Sequence, residues 1–133
     1  MINSYKEYLT TVKALSIEQM QQIHERMIEE VSADADAMEL NDELIAVATR
    51  YAEMRAKWLL MEREEKMEKD SLRTSYHNSV ILHFNMLARY LKSQGKDVVW
   101  RDMLGYEEED GYNRKSIGDF ACYLVFLNSI NAR

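Results

Sequence analysis

The chain has 133 residues, of which 47% are hydrophobic and 30% charged, and its formal net charge is −6. This composition is that of a folded globular protein and excludes an intrinsically disordered one. The negative charge also argues against nucleic acid as a default ligand, because proteins bind phosphate backbones mainly through lysine and arginine.

Composition also bounds the fold and the location. Proline is absent and all four glycines follow position 94, so the earlier part of the chain carries no strong helix breaker. The length fits a single domain over residues 1–133. The single cysteine, Cys122, excludes an internal disulfide and favours a reducing compartment. Since the first residues show no basic segment followed by an apolar one, we expect no secretory signal and a cytoplasmic protein.

The first third of the chain predicts two helices and a connection. A short helix is predicted over residues 3–14, and a second begins at Ser16, where Gln19 completes a capping box. Residues 32–40 are expected to form a turn or a loosely helical connection. The apolar stripe of the second helix consists of Ile17, Met20, Ile23, Met27, Ile28 and Val31.

The middle of the chain predicts two long helices. One is predicted over residues 42–69, capped by Asn41 or Asp42, and the other over residues 72–93, ended by Gly95. A single uninterrupted rod would be longer than a small domain is wide. A hairpin with its bend near residues 68–72 is therefore preferred, and the single rod stays open as the alternative. The apolar seam of the first long helix alternates by three and four, and consists of Leu44, Val47, Tyr51, Met54, Trp58 and Met61.

A short helix and an acidic loop are predicted next. Asp97 is expected to cap a helix that Gly105 ends. Residues 106–113 form the only long irregular segment, with four acids in a row beside two tyrosines. Aligning Gly111 with the invariant glycine of an EF-hand puts a tyrosine at the first ligand position, so the loop is not a calcium site.

The last predicted helix, over residues 116–130, is the element around which the fold is expected to form. Ser116 and Asp119 approximate a capping box at its start, and Gly118 in its first turn allows a close approach. A helix that is apolar around almost its whole circumference is buried, and this one is too short to span a bilayer, so no membrane association is predicted. Its apolar residues are Ile117, Phe120, Cys122, Tyr123, Leu124, Val125, Phe126, Leu127 and Ile130.

Together these elements predict an all-α fold. We expect a single-domain helical bundle of five to six helices, with a long central antiparallel helix pair and a buried C-terminal helix.

Motifs for catalysis or cofactor binding are absent from the sequence. It has no glycine-rich phosphate loop, no G-x-S-x-G, no H-E-x-x-H and no C-x-x-C. None of the three histidines follows a glutamate by three residues, as a di-iron bundle would need. His24 is interpreted as a half-buried helix histidine, and His77 and His83 lie on different sides of one helix. We therefore predict no enzyme, no cofactor and no metal site.

Binding to a protein partner is the preferred function. Nine methionines and thirteen aromatic residues are many for this length, and such side chains either fill a core or anchor an interface. We expect a protein–protein interaction or regulatory module that binds a second copy, most simply as a two-fold homodimer, or another protein. The predicted partner-binding residues are Tyr51, Met54, Trp58 and Met61 on the seam, and Tyr106 and Tyr112 in the acidic loop.

The alternative is a nucleic-acid-associated regulator. Residues 1–70 carry 9 basic and 16 acidic side chains, whereas the remainder carries 8 and 7, so the net charge is −7 in the first part and +1 in the second, which could carry a local basic face. Tyrosine and tryptophan are available there for stacking on bases. The predicted nucleic-acid-binding residues of this alternative are Arg89, Lys92, Lys96, Arg101, Arg114 and Lys115.

Overall fold

The computed structural model describes residues 15–131 of the chain, with side chains up to Ile130. Within that range it contains helices and one isolated β-bridge between Glu107 and Gly111, which confirms the all-α prediction. The first predicted helix, over residues 3–14, lies outside the described residues. The five helices are α1 (Ile17–Val31), α2 (Ala35–Trp58), α3 (Arg63–Ser93), α4 (Val99–Met103) and α5 (Arg114–Asn131).

Helix α1 begins where the capping box predicts. The backbone N–H of Gln19 donates to the Ser16 hydroxyl over 3.0 Å, and the Ser16 N–H donates to the Gln19 side-chain oxygen over 2.9 Å. Both bonds satisfy donors that a helix start otherwise leaves unpaired. The buried face of α1 is narrower than the predicted stripe, because Ile17 is exposed and Ile28 is only half-buried; it consists of Met20, Ile23, Met27 and Val31.

Helix α2 begins seven residues earlier than predicted, so the connection expected over residues 32–40 is limited to the turn at residues 32–34, and the prediction is wrong for residues 35–40, which are helical. The carboxylate of Asp34 caps the helix by accepting from the backbone N–H groups of Asp36 (2.9 Å) and Ala37 (3.1 Å). Asn41 and Asp42, the predicted caps, lie inside α2. Alanines surround Asp34 and favour helix, so a single good cap is enough to start α2 there.

Helices α2 and α3 form the predicted antiparallel hairpin. Three contacts show the direction: the Tyr90 hydroxyl donates to Asp34, the Tyr51 and His77 rings meet at 5.2 Å, and the Arg73 guanidinium lies 4.5 Å from the centre of the Trp58 ring. The bend lies at residues 59–62, so the prediction of 68–72 is wrong. Few residues directly after Met61 are apolar, and the first part of α3, which they form, lies outside the core. The first buried residue of α3 is His77, fourteen positions after the start of the helix.

Helix α5 occupies the centre of the described fold. Residues 116–125 are all buried, whereas the last turn, including Ile130, is exposed. The helix begins two residues before the predicted start, because the Asn113 side chain caps it by accepting from the N–H groups of Lys115 and Ser116, both over 3.1 Å. Ser116 and Asp119 are therefore inside the helix and buried.

Helix α4 is held against α1 by one carboxylate. Glu30 accepts from the backbone N–H of Val98 over 3.0 Å and from the indole N–H of Trp100 over 2.9 Å. Val98, which precedes α4 in place of the predicted cap Asp97, has φ of 54°, a left-handed conformation that β-branched residues avoid. The Glu30 bonds and the full burial of Trp100 hold the chain in this conformation.

Candidate functional site: a basic cavity beside the hairpin tip

A cavity of about 510 Å³ opens where α2 and α3 meet the start of α5. Among the residues that the structure describes, its lining carries three arginines and one lysine but no acidic residue, although the whole chain is net negative. We call it the basic cavity; it is lined by Tyr51, Arg55, Arg73, Thr74, His77, Asn78, Arg114 and Lys115.

The α2 wall of the basic cavity is fixed by α5. The Arg55 guanidinium pairs with the carboxylate of Asp119 over 2.6 Å, and Asp119 is fully buried. Tyr51, one turn earlier on α2, packs with Arg55 against Gly118: a Cβ at Gly118 would lie 2.6 Å from the Tyr51 hydroxyl. The missing side chain of Gly118 thus admits two side chains of α2 to the first turns of α5.

His77 contributes the α3 wall and is 6% exposed. Its Nε2 lies 2.9 Å from the backbone carbonyl of Arg114 and donates to it, while Nδ1 has no hydrogen-bond partner among residues 15–131. Burial lowers the pKa of His77, and the charges of Arg114, Arg55 and Arg73 lower it further, against the opposing effect of the carbonyl bond. The ring is therefore neutral at pH 7.

This environment implies a stability that depends on pH. Burial also lowers the pKa of His24, so both histidines bind protons more readily in the unfolded chain, where the pKa is 6.5. We expect the free energy of unfolding to fall as the pH is lowered from about 7.5 to about 5.5, because protonation then favours the unfolded state. Urea titrations at a series of pH values measure it. Asp34 does not contribute in this range, since its lowered pKa lies below 3.8.

The matched control replaces both histidines by glutamine. In the double variant His24→Gln/His77→Gln the decline between these pH values should be clearly smaller than in the natural chain. An equal decline in both proteins would show that other groups cause it.

The α5 side of the cavity supplies the cations with the fewest partners. Arg114 donates to the side-chain oxygen of Asn78 over 3.1 Å, and neither Arg114 nor Lys115 forms an ion pair within the described part of the chain. Arg73, opposite them on α3, pairs at the surface with Asp70 over 3.2 Å. Positive charge from three helices therefore meets in one place.

Next to the basic cavity, the bend of the hairpin exposes an apolar surface. We call it the hairpin tip: Trp58, Leu59, Leu60, Met61 and Met67. Leu60 is 60% and Met67 72% exposed, whereas Trp58 is half-buried, with the Arg73 guanidinium 4.5 Å and the Lys66 ammonium group 6.0 Å from the centre of its ring. Arg73 belongs to both features, since it stacks on Trp58 and lines the cavity.

The six predicted partner-binding residues do not form one surface. Tyr51 and Tyr112 are buried, and Met54 and Tyr106 are half-buried. Tyr106 packs edge-on against Tyr112, with their ring centres 4.9 Å apart. Trp58 and Met61 alone belong to the hairpin tip. The sequence analysis did not include Leu59, Leu60 and Met67 of the hairpin tip. The signal that could have identified the two leucines is the apolar run at residues 58–61 directly before the charged residues 62–66.

The six predicted nucleic-acid-binding residues are also dispersed. Arg114 and Lys115 line the basic cavity, and the Arg101 guanidinium lies 4.0 Å from the centre of the Tyr106 ring. Arg89 is twelve residues after His77 on α3, which at ~1.5 Å per residue puts it about 18 Å along the helix. Lys92 and Lys96 lie further still.

Residues 15–131 contain no cluster of three or more histidine, cysteine, aspartate or glutamate side chains arranged to hold a metal ion. No helix among them has the length and hydrophobicity needed to cross a membrane. Comparison of the chain with protein-family models, with curated proteins and with solved structures gave no match.

Proposed function

We propose that the chain is a protein-interaction module without catalytic activity, and that it binds a second copy of itself through the hairpin tip. The observation that carries this proposal is the grouping of strongly exposed Leu60 and Met67 with half-buried Trp58 at one end of the hairpin. Apolar side chains gain free energy when a partner removes them from water, and tryptophan and methionine are common anchors of such contacts.

The charges around the hairpin tip suit a second copy. Residues 62–66 read Glu-Arg-Glu-Glu-Lys, so charges of both signs are interspersed beside the apolar centre. When two identical helices pack antiparallel about a two-fold axis, such a pattern places opposite charges near one another. A strongly acidic or strongly basic partner would match this surface less well.

Sedimentation equilibrium over a range of concentrations tests the proposal. We expect the apparent mass to rise from the 15.7 kDa of one chain towards twice that value. The variant Leu60→Ser/Met67→Ser should dimerise about tenfold more weakly, since it removes two contacts of the interface.

The matched control is Leu82→Ser/Met86→Ser, which changes the same two residue types at exposed positions further along α3. Its dimerisation should equal that of the natural chain. A natural chain that remains a monomer at the highest attainable concentration, or an equal effect of both variants, would contradict the proposal.

A cytoplasmic location is part of the proposal and rests on the single buried thiol of Cys122, which is typical of a reducing compartment. The nucleic-acid alternative makes a different prediction, namely binding at low salt that weakens steeply as salt is added. The distance between Arg89 and the basic cavity weighs against one continuous basic face.

A further inference from the structure

Independently of the hairpin tip, we propose that the basic cavity binds a phosphate group, either as the free anion or carried by a small molecule. Three observations support this second site: its excess of positive charge, the arrangement of its donors, and its size.

The charge of the cavity is not balanced by the lining itself. Among residues 15–130, four cationic side chains and no acid line it. Two of the four pair with carboxylates outside the lining, Arg55 with Asp119 and Arg73 with Asp70, whereas Arg114 and Lys115 form no ion pair in this part of the chain. Like charges at short range repel, so a group of cations that lacks acids among its own members gains from a bound anion. Because the chain as a whole is acidic, this grouping does not follow from composition.

The donors approach from three helices. Arg55 belongs to α2, Arg73 to α3, and Arg114 and Lys115 to the first turn of α5. Guanidinium groups bind phosphate oxygens through pairs of parallel hydrogen bonds, and a lysine adds a point charge. The start of α5 also carries the positive end of the helix dipole.

Two contacts hold this arrangement in place before any ligand binds. The Arg55–Asp119 pair fixes α2 to α5, and the His77–Arg114 hydrogen bond fixes α3 to α5. A preformed site loses less entropy on binding than one that must be ordered.

The size of the cavity admits more than a phosphate ion. Its volume of about 510 Å³ lies within the range of small-molecule sites, roughly 300–1,000 Å³. The rings of Tyr51 and His77 form part of the wall, and His77 is buried with one ring nitrogen that has no hydrogen-bond partner within residues 15–131. This wall offers a surface for an organic group attached to the phosphate.

Calorimetric titration of the full chain with inorganic phosphate, pyrophosphate and phenyl phosphate tests the site. We expect saturable binding with one site per chain. The variant Arg114→Gln/Lys115→Gln should weaken it about tenfold or more, because two charged donors are lost. Tighter binding of phenyl phosphate than of phosphate would identify an ester as the ligand, and equal binding would identify the free anion; either supports the site.

The matched control is Arg89→Gln/Lys92→Gln, which removes the same charge from exposed positions of α3 outside the cavity. Its affinity for the three probes should stay within about twofold of the natural chain. Equal weakening by both pairs, or no saturable binding of any probe, would overturn the proposal. The variant Leu60→Ser/Met67→Ser should bind the probes normally, so failure of dimerisation and failure of this site are distinguishable.

Discussion

Replacing Asp119 by alanine is expected to lower the free energy of unfolding by about 3–5 kcal/mol. The carboxylate is fully buried and pairs with the guanidinium of Arg55, whose side chain is 19% exposed. Its removal leaves that guanidinium beside a small void, with the cost of burying charge no longer offset by the pair. Equilibrium unfolding in urea, followed by circular dichroism, measures the loss.

The double variant Arg55→Met/Asp119→Leu distinguishes the effect of removing one member of the ion pair from the effect of removing both. Replacing both charges by apolar groups of similar volume is often nearly neutral, so this protein should be more stable than Asp119→Ala alone. A loss below about 1 kcal/mol in the single variant would show that the ion pair contributes little, as surface pairs do.

Replacing Glu30 by alanine is expected to cost about 2–4 kcal/mol, because two buried donors lose their acceptor together. These donors are the Val98 backbone N–H and the Trp100 indole N–H, and Trp100 is fully buried. The loss should be accompanied by a change in tryptophan fluorescence as α4 loosens from α1. The same urea titration measures the stability.

Glu29→Ala provides the control for this substitution. Glu29 is the preceding residue of α1 and is exposed, so its replacement removes the same charge with an effect within about 0.5 kcal/mol. Similar losses in both variants would indicate that net charge, and not the two hydrogen bonds, determines the result.

The features of the fold that depend on nearby residues could be predicted from the sequence. The capping box at Ser16 involves residues three apart, and the burial of α5 follows from apolar residues around its circumference. The start of α2 could not be located in this way, since several residues between 34 and 42 are acceptable caps. Asp34 has a further partner, Tyr90, which is 56 residues away in the chain.

The residues of the candidate site were harder to predict, because they too come together from distant parts of the chain. Helical spacing identified the seam that contains Tyr51 and Trp58, but spacing alone does not distinguish a side chain packed within the chain from one that faces a partner. The basic cavity joins Arg55, Arg73 and Arg114 across three helices. Only Arg114 of these was predicted as a site residue, because the convergence arises from the packing of the hairpin on α5.

The burial of the single thiol allows the opening of the core to be measured by thiol labelling. Cys122 is fully buried at the centre of α5, and burial raises the pKa of its thiol to about 11. Because alkylating reagents react with exposed thiolates, modification must wait until the bundle opens around α5. Labelling kinetics in native buffer therefore report how often the core exposes itself, without an engineered probe.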